Sequence, residues 1–199
     1  MTQPLALATD HPVVAAAERV RIRRRVRDDA ADEFHWRSDP ELAKFDAAPV
    51  IPGTFEDFLA ELDYELTYGR PGREAFALET PDRRHIGSVM YYNADPDSAE
   101  IGISIALGEC RGLGIGREAI TAFLRFLWTE RPFRRVYLHT LESNEKAQRC
   151  FRAAGFEERA RVRRDGVWFL QMDVRREWWL LWDAEGRFAA AGDDASVEC

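Results

Sequence analysis

The chain has 199 residues, 46% of them hydrophobic and 12% aromatic, which suits one globular domain with its own core and excludes a disordered chain. Lys and Arg number 28 against 35 Asp and Glu, a net charge of −7, which argues against nucleic acid and mildly favours cationic small partners. Three scattered cysteines, Cys110, Cys150 and Cys199, form no C-x-x-C pair, so neither a disulfide framework nor a thiolate zinc site is encoded, no metal is expected, and a reducing cytoplasmic setting fits best.

Residues 1–18 are small, Ala-rich and unpatterned, with Asp10 and Pro12 interrupting the only apolar run. They read as a loose, mobile arm without a secretory pattern. No stretch of ~18 apolar residues follows anywhere, so no membrane span is expected. Residues 19–27 alternate, with Val20, Ile22 and Val26 on one face and Arg21, Arg23, Arg25 and Arg27 on the other, the pattern of a half-buried strand whose basic face is solvated or binds a polyanion. Arg24, on the apolar face, does not fit that alternation. Asp28 and Asp29 then cap a helix containing Ala30, Phe34 and Trp36, and Ser38, Asp39 and Pro40 open a second short one. Thr54 caps an amphipathic helix with Phe55, Phe58, Leu59, Leu62 and Leu66 on one side.

Three strands come next, over 74–79, 84–92 and 99–107, separated by turn sequences, and read as an antiparallel meander. A glycine-rich loop at 111–116 opens a helix to about residue 129. A strand at 135–140, a helix over 144–154 stopped by Gly155, and two strands at 159–163 and 167–175 joined by Arg164, Asp165 and Gly166 complete the pattern. Strand, helix, strand implies a parallel, right-handed crossover, so the fold class is mixed α/β. Residues 19–176 form a single domain by this reading. Residues 177–199, with Trp178, Trp179 and Trp182 ahead of a small, acidic tail, lie outside it; the tryptophans cover a core edge, form a contact between two copies of the chain, or wall an acceptor pocket.

Gly112, Gly114 and Gly116 stand between a strand and a helix start, where unpaired backbone N–H groups and the positive end of the helix dipole face outward. Glycines let consecutive amides converge on one phosphate. The spacing is not that of a P-loop, because Arg117 and Glu118 follow Gly116 in place of lysine and a hydroxyl. Nor is it a dinucleotide fingerprint, which needs glycine where Arg117 stands.

Arg111, Gly114 and Gly116 meet the pattern R/Q-x-x-G-x-G/A, and Asn144, Ala147, Gly155 and Phe156 supply the Asn-x-x-Ala and Gly-Phe that follow it. In these motifs, and in element order, the chain resembles the GNAT superfamily of N-acetyltransferases. The run from Phe34 to Glu41 resembles the branch containing ribosomal-protein N-terminal acetyltransferases. The resemblance implies a mostly antiparallel central sheet with a splayed parallel strand pair. It further implies acetyl-CoA as cosubstrate, its pyrophosphate on the amides of Gly112, Leu113, Gly114, Ile115, Gly116 and Arg117 beside Arg111. Ile103, Ser104 and Ile105 of the splayed strand, with Asn144 and Phe151 from the following helix, would line the pantetheine arm. The acceptor would be a primary amine, either a protein N-terminus or a small molecule, attacked directly in a ternary complex.

Such a transfer needs a base and oxyanion donors. Glu100, near the start of the central strand, is the first candidate base, and His139, in the strand across the splay, the second. Many members of the superfamily carry a tyrosine where this chain has Phe151, which cannot protonate the departing sulfur; water, Tyr91 or Tyr92 would substitute. That departure keeps a non-catalytic module binding CoA or acyl-CoA as an alternative. Neither Cys110 nor Cys150 has a base beside it in sequence, which disfavours a ping-pong route.

Overall fold

A computed structural model describes residues 11–46 and 49–189 of the chain. Residues 1–10 of the expected arm, and Cys199 with the acidic tail, lie outside the described residues. Among the described residues eight strands form one sheet: β1 (Val13–Ala16), β2 (Arg21–Arg24), β3 (Glu74–Glu79), β4 (His85–Tyr92), β5 (Ser98–Ile105), β6 (Arg135–Leu141), β7 (Glu157–Arg164) and β8 (Val167–Arg175). Their order is β1-β2-β3-β4-β5-β6-β8-β7. Every neighbouring pair is antiparallel except β5 and β6. The helices are α1 (Ala30–Arg37), α2 (Pro40–Asp46), α3 (Phe55–Tyr68), α4 (Ile115–Glu130), α5 (Glu145–Ala153) and α6 (Arg176–Ala184).

Local chemistry explains most boundaries. Thr54 accepts from the Asp57 amide while Asp57 reaches back to the Thr54 amide, a reciprocal cap that starts α3. Asp165 and Gly166 both take positive φ, 47° and 83°, as a two-residue hairpin between β7 and β8 requires. Asp95 receives the amides of Asp97 and Ser98, which sets the turn from β4 into β5. Gly87 of β4 faces the Ser104 carbonyl of β5 so closely that an added Cβ would lie 2.0 Å from the oxygen.

The main core lies on one face of the sheet. Phe123, Leu124, Leu127 and Trp128 of α4 are buried there with Ile22, Phe76, Val89, Ile101, Val136 and Leu138. Phe58 and Leu62 of α3 close a smaller cluster with Ala30.

Three expectations are corrected. Val13–Ala16 is a strand, paired with β2, where a loose arm was expected; its valines favour extended backbone, and pairing with Ile22 and Arg21 holds Ala15 and Ala16 there against their weak strand preference. The arginine face of residues 19–27 is solvated only in part: Arg27 is exposed, while Arg23 and Arg25 are drawn into internal ion pairs. Arg23 is 4% exposed and donates to Asp29 and Glu79, each at 2.7 Å. Arg25 pairs with Glu33 and Glu65, so these charges are consumed internally and form no polyanion stripe. Finally, α6 belongs to the packed structure. Trp179 is fully buried, stacks on Phe188 at 4.8 Å and donates Nε1–H to the Ala154 carbonyl at 2.9 Å. Trp178 stays exposed.

Candidate active site

β5 and β6 pair only from Ser98 to Glu100, opposite Arg135 to Tyr137. Beyond Glu100 the two strands part, so Gly102, Ile103, Ser104 and Ile105 present unpaired backbone groups on that side while β4 holds the other. Arg111 fixes this strand end to the loop: Nε donates to the Ile105 carbonyl at 2.8 Å and Nη2 to the Ala106 carbonyl at 3.0 Å. The motif arginine thus organises the loop's backbone.

Gly112 and Gly114 take φ of 75° and 74°, values open to glycine and strained for other residues. Gly114 immediately precedes α4. The amides of 112–117 make no backbone hydrogen bond among the described residues, while the Glu118 amide closes the first turn on the Gly114 carbonyl at 3.1 Å. Nothing stands within 4 Å of a Cβ placed on Gly112. Several unpaired amides on a helix start, open at Gly112 and flanked by the Arg19 guanidinium 3.1 Å from a Cβ placed on Gly114, fit a pyrophosphate. Gly116 faces α5, its added Cβ lying 3.3 Å from Cys150 Sγ.

The two candidate bases meet at the fork. Register puts Glu100 opposite Tyr137, two residues before His139, and His139 Nδ1 lies 2.7 Å from Glu100 Oε1. Arg164 Nη2 lies 3.0 Å from His139 Nε2. The same Nη2 is 3.5 Å from Nδ1, so the guanidinium lies against the ring and not along one lone pair; the Glu100 carboxylate accepts, which makes Nδ1 the donor to it. Asn93 Nδ2 donates to the other carboxylate oxygen at 3.0 Å. The Glu100 and His139 side chains are 5% and 8% exposed, so water is largely excluded. Burial, and after it the charge of Glu100, pushes the Tyr92 phenol up from its ordinary value.

Asn144 caps α5, accepting from the Ala147 amide at 3.1 Å. Phe151 is buried against Phe156, their ring centroids 6.0 Å apart. Tyr91 is directed away from the fork: its hydroxyl donates to Glu74 at 3.2 Å and accepts from Arg131. Burial and then Glu109 push the Cys110 thiol up, away from a nucleophilic thiolate. Among the described residues no group of three or more His, Cys, Asp or Glu side chains could hold a metal, and no helix is long and apolar enough to cross a membrane.

Sequence reasoning missed Asn93, Tyr92 as a neighbour of Glu100, and Arg164. Asn93 has a local signal, since asparagine opening a turn tolerates the left-handed φ of 50° it adopts. Arg164 has none, because its approach to His139 depends on how the β7–β8 hairpin lies against β6.

A splayed parallel pair beside a glycine loop on a helix start makes a cleft for an extended ligand that carries a pyrophosphate. The family description "Acetyltransferase (GNAT) domain" matches residues 19–157, and the chain belongs to this family of N-acetyltransferases, whose cosubstrate is acetyl-CoA. An uncharacterised protein of Methanocaldococcus jannaschii is 25% identical over 142 residues, 70% of this chain and 28% of that protein. The chain thus spans under a third of that relative's length. Among solved structures, a spermidine N-acetyltransferase from Vibrio cholerae in complex with CoA and spermine superposes with a TM-score of 0.72 at 21% identity, covering 81% of this chain and 98% of that one. An aminoglycoside acetyltransferase in complex with coenzyme A gives 0.69 at 19%, with 81% and 98% covered. RimJ of Mycobacterium smegmatis in complex with CoA-disulfide gives 0.67 at 21%, with 84% and 90% covered. At these identities the likeness speaks for the fold.

Proposed function

We propose that the protein transfers the acetyl group of acetyl-CoA to a primary amine by direct attack in a ternary complex, with Glu100 and His139 acting as a pair on the amine's proton. The observation that carries this reading is the buried 2.7 Å contact between them at the point where β5 and β6 separate. Glu100 holds the imidazole with its Nε2 lone pair outward and balances the charge gained when Nε2 accepts a proton. Arg164, now on Nε2, gives way to the amine. The amides of Gly112 to Arg117 hold the pyrophosphate, and Ile103, Ser104 and Ile105 bind the pantetheine arm edge-on. Bound acetyl-CoA supplies the activated acyl group, and β5 amides beyond the fork stand ready to stabilise the oxyanion. Tyr92, kept protonated, is the phenol at the fork that can return a proton to the departing thiol.

The test follows thiol release from acetyl-CoA with a panel of primary amines. Glu100→Gln and His139→Gln are expected to lower kcat about 10²- to 10⁴-fold while acetyl-CoA still binds. Wild-type activity retained in both variants would remove the pair from the mechanism. Binding of acetyl-CoA without thiol release for any amine would favour a non-catalytic module.

A further inference from the structure

A cavity of about 340 Å³ lies next to the fork, lined by Arg70, Arg73, Tyr92 and Asn93. The last two are the residues that touch or face Glu100, so the cavity and the reacting end of the site share a wall. Arg70 is neutralised, pairing with Glu61 and with Glu65 at 2.7 Å. Arg73 differs. Its Nε is shut off from solvent with no hydrogen-bond partner among the described residues, an expensive state for a group that donates in a fixed planar fork. Its charge also acts on Arg37 of α1, where burial and then Arg73 lower the proton affinity against the pull of Glu33 and Glu61. On the other flank, Arg164 brings a second guanidinium to within 3.0 Å of His139. Glu100 at the fork already accepts from Asn93 and His139. A polycation would meet the guanidinium groups of Arg73 and Arg164 here, whereas an anionic group would be paired by them.

We infer that the acceptor is an amine carrying an oxyanion, a carboxylate or a phosphate, which the guanidinium of Arg73 seats in this cavity while the amine reaches the Glu100–His139 pair. The inference rests on the transferase reading above. It distinguishes this chain from two of its structural neighbours, one crystallised with spermine and one with kanamycin.

Thiol release is measured with matched acceptors: γ-aminobutyrate, its neutral amide, and putrescine, alongside phosphoethanolamine and ethanolamine. A charge-assisted pair to Arg73 predicts kcat/KM about ten- to hundredfold higher for an anionic member than for its neutral or cationic match. The pair that shows the preference tells carboxylate from phosphate. In Arg73→Gln that preference is expected to collapse towards unity, mainly through a higher KM. The wild-type comparison stands even if the variant does not fold. Putrescine or the neutral amines accepted as well as the anions would overturn the inference and leave the transferase intact. Thiol release with none of the acceptors, or a preference that survives Arg73→Gln, would also overturn it, the first together with the activity it rests on.

Discussion

Arg23 sits 4% exposed between β2, β3 and the head of α1, with its charge divided between Asp29 and Glu79. Removing one member of such a buried set leaves the others uncompensated, so Arg23→Gln is expected to destabilise the protein by about 3–5 kcal/mol in denaturant unfolding. Burial works against the charge on Asp29, yet the hydrogen bonds from Arg23 and the Val26 amide, with the neighbouring His85 and the Arg23 charge, together outweigh it and hold the carboxyl below its ordinary range. A depressed folded value means that Asp29 contributes stability above about pH 4, which is lost as pH falls through the folded value. Asp29→Asn should flatten that acid limb; an unchanged limb would show that Asp29 is not the group responsible. The alternation of residues 19–27 made the arginine face legible. Its carboxylates were not, because Glu79 lies 56 positions away and meets Arg23 only through strand pairing. The same holds at the fork: Glu100 and His139 were each legible as candidates, but their contact depends on a three-residue parallel register.

At the scale of elements, the glycine loop and α4 were the most legible, since positive φ at Gly112 and Gly114 and the amphipathic run behind them are local requirements. The meander was legible too, yet the close approach of β4 to β5 at Gly87 was not, because a glycine inside a strand signals several things. An alanine there would have to displace the Ser104 backbone. Gly87→Ala is therefore expected to disturb the β4–β5 pairing that orients residues 102–105, weakening acetyl-CoA binding by at least tenfold in calorimetry, a penalty of about 1.4 kcal/mol. Binding equal to that of the parent protein would show that the strand tolerates the shift without losing the site.

Across the whole molecule, the part least visible beforehand is the return of α6 onto the body of the domain. Its three tryptophans read as an edge, and Trp179 lies inside, against Phe188 and the turn at Gly155, whose φ of 97° and lack of a side chain let both rings approach. A Trp179→Ala cavity should lower stability by about 3–5 kcal/mol, whereas a loss below ~1 kcal/mol would return α6 to the periphery. Through Gly155 and α5, this packing supports the helix that lies against Gly116 of the loop. The account of the molecule as an acetyl-CoA-dependent enzyme therefore turns on the loop and fork binding that cosubstrate, which the melting temperature with and without acetyl-CoA tests most directly. At a hundred times its dissociation constant the ligand adds about 2.7 kcal/mol, a rise of roughly 5 to 10 °C for a chain of this size. Such a rise is the predicted result, and an unchanged melting temperature at millimolar acetyl-CoA would contradict it.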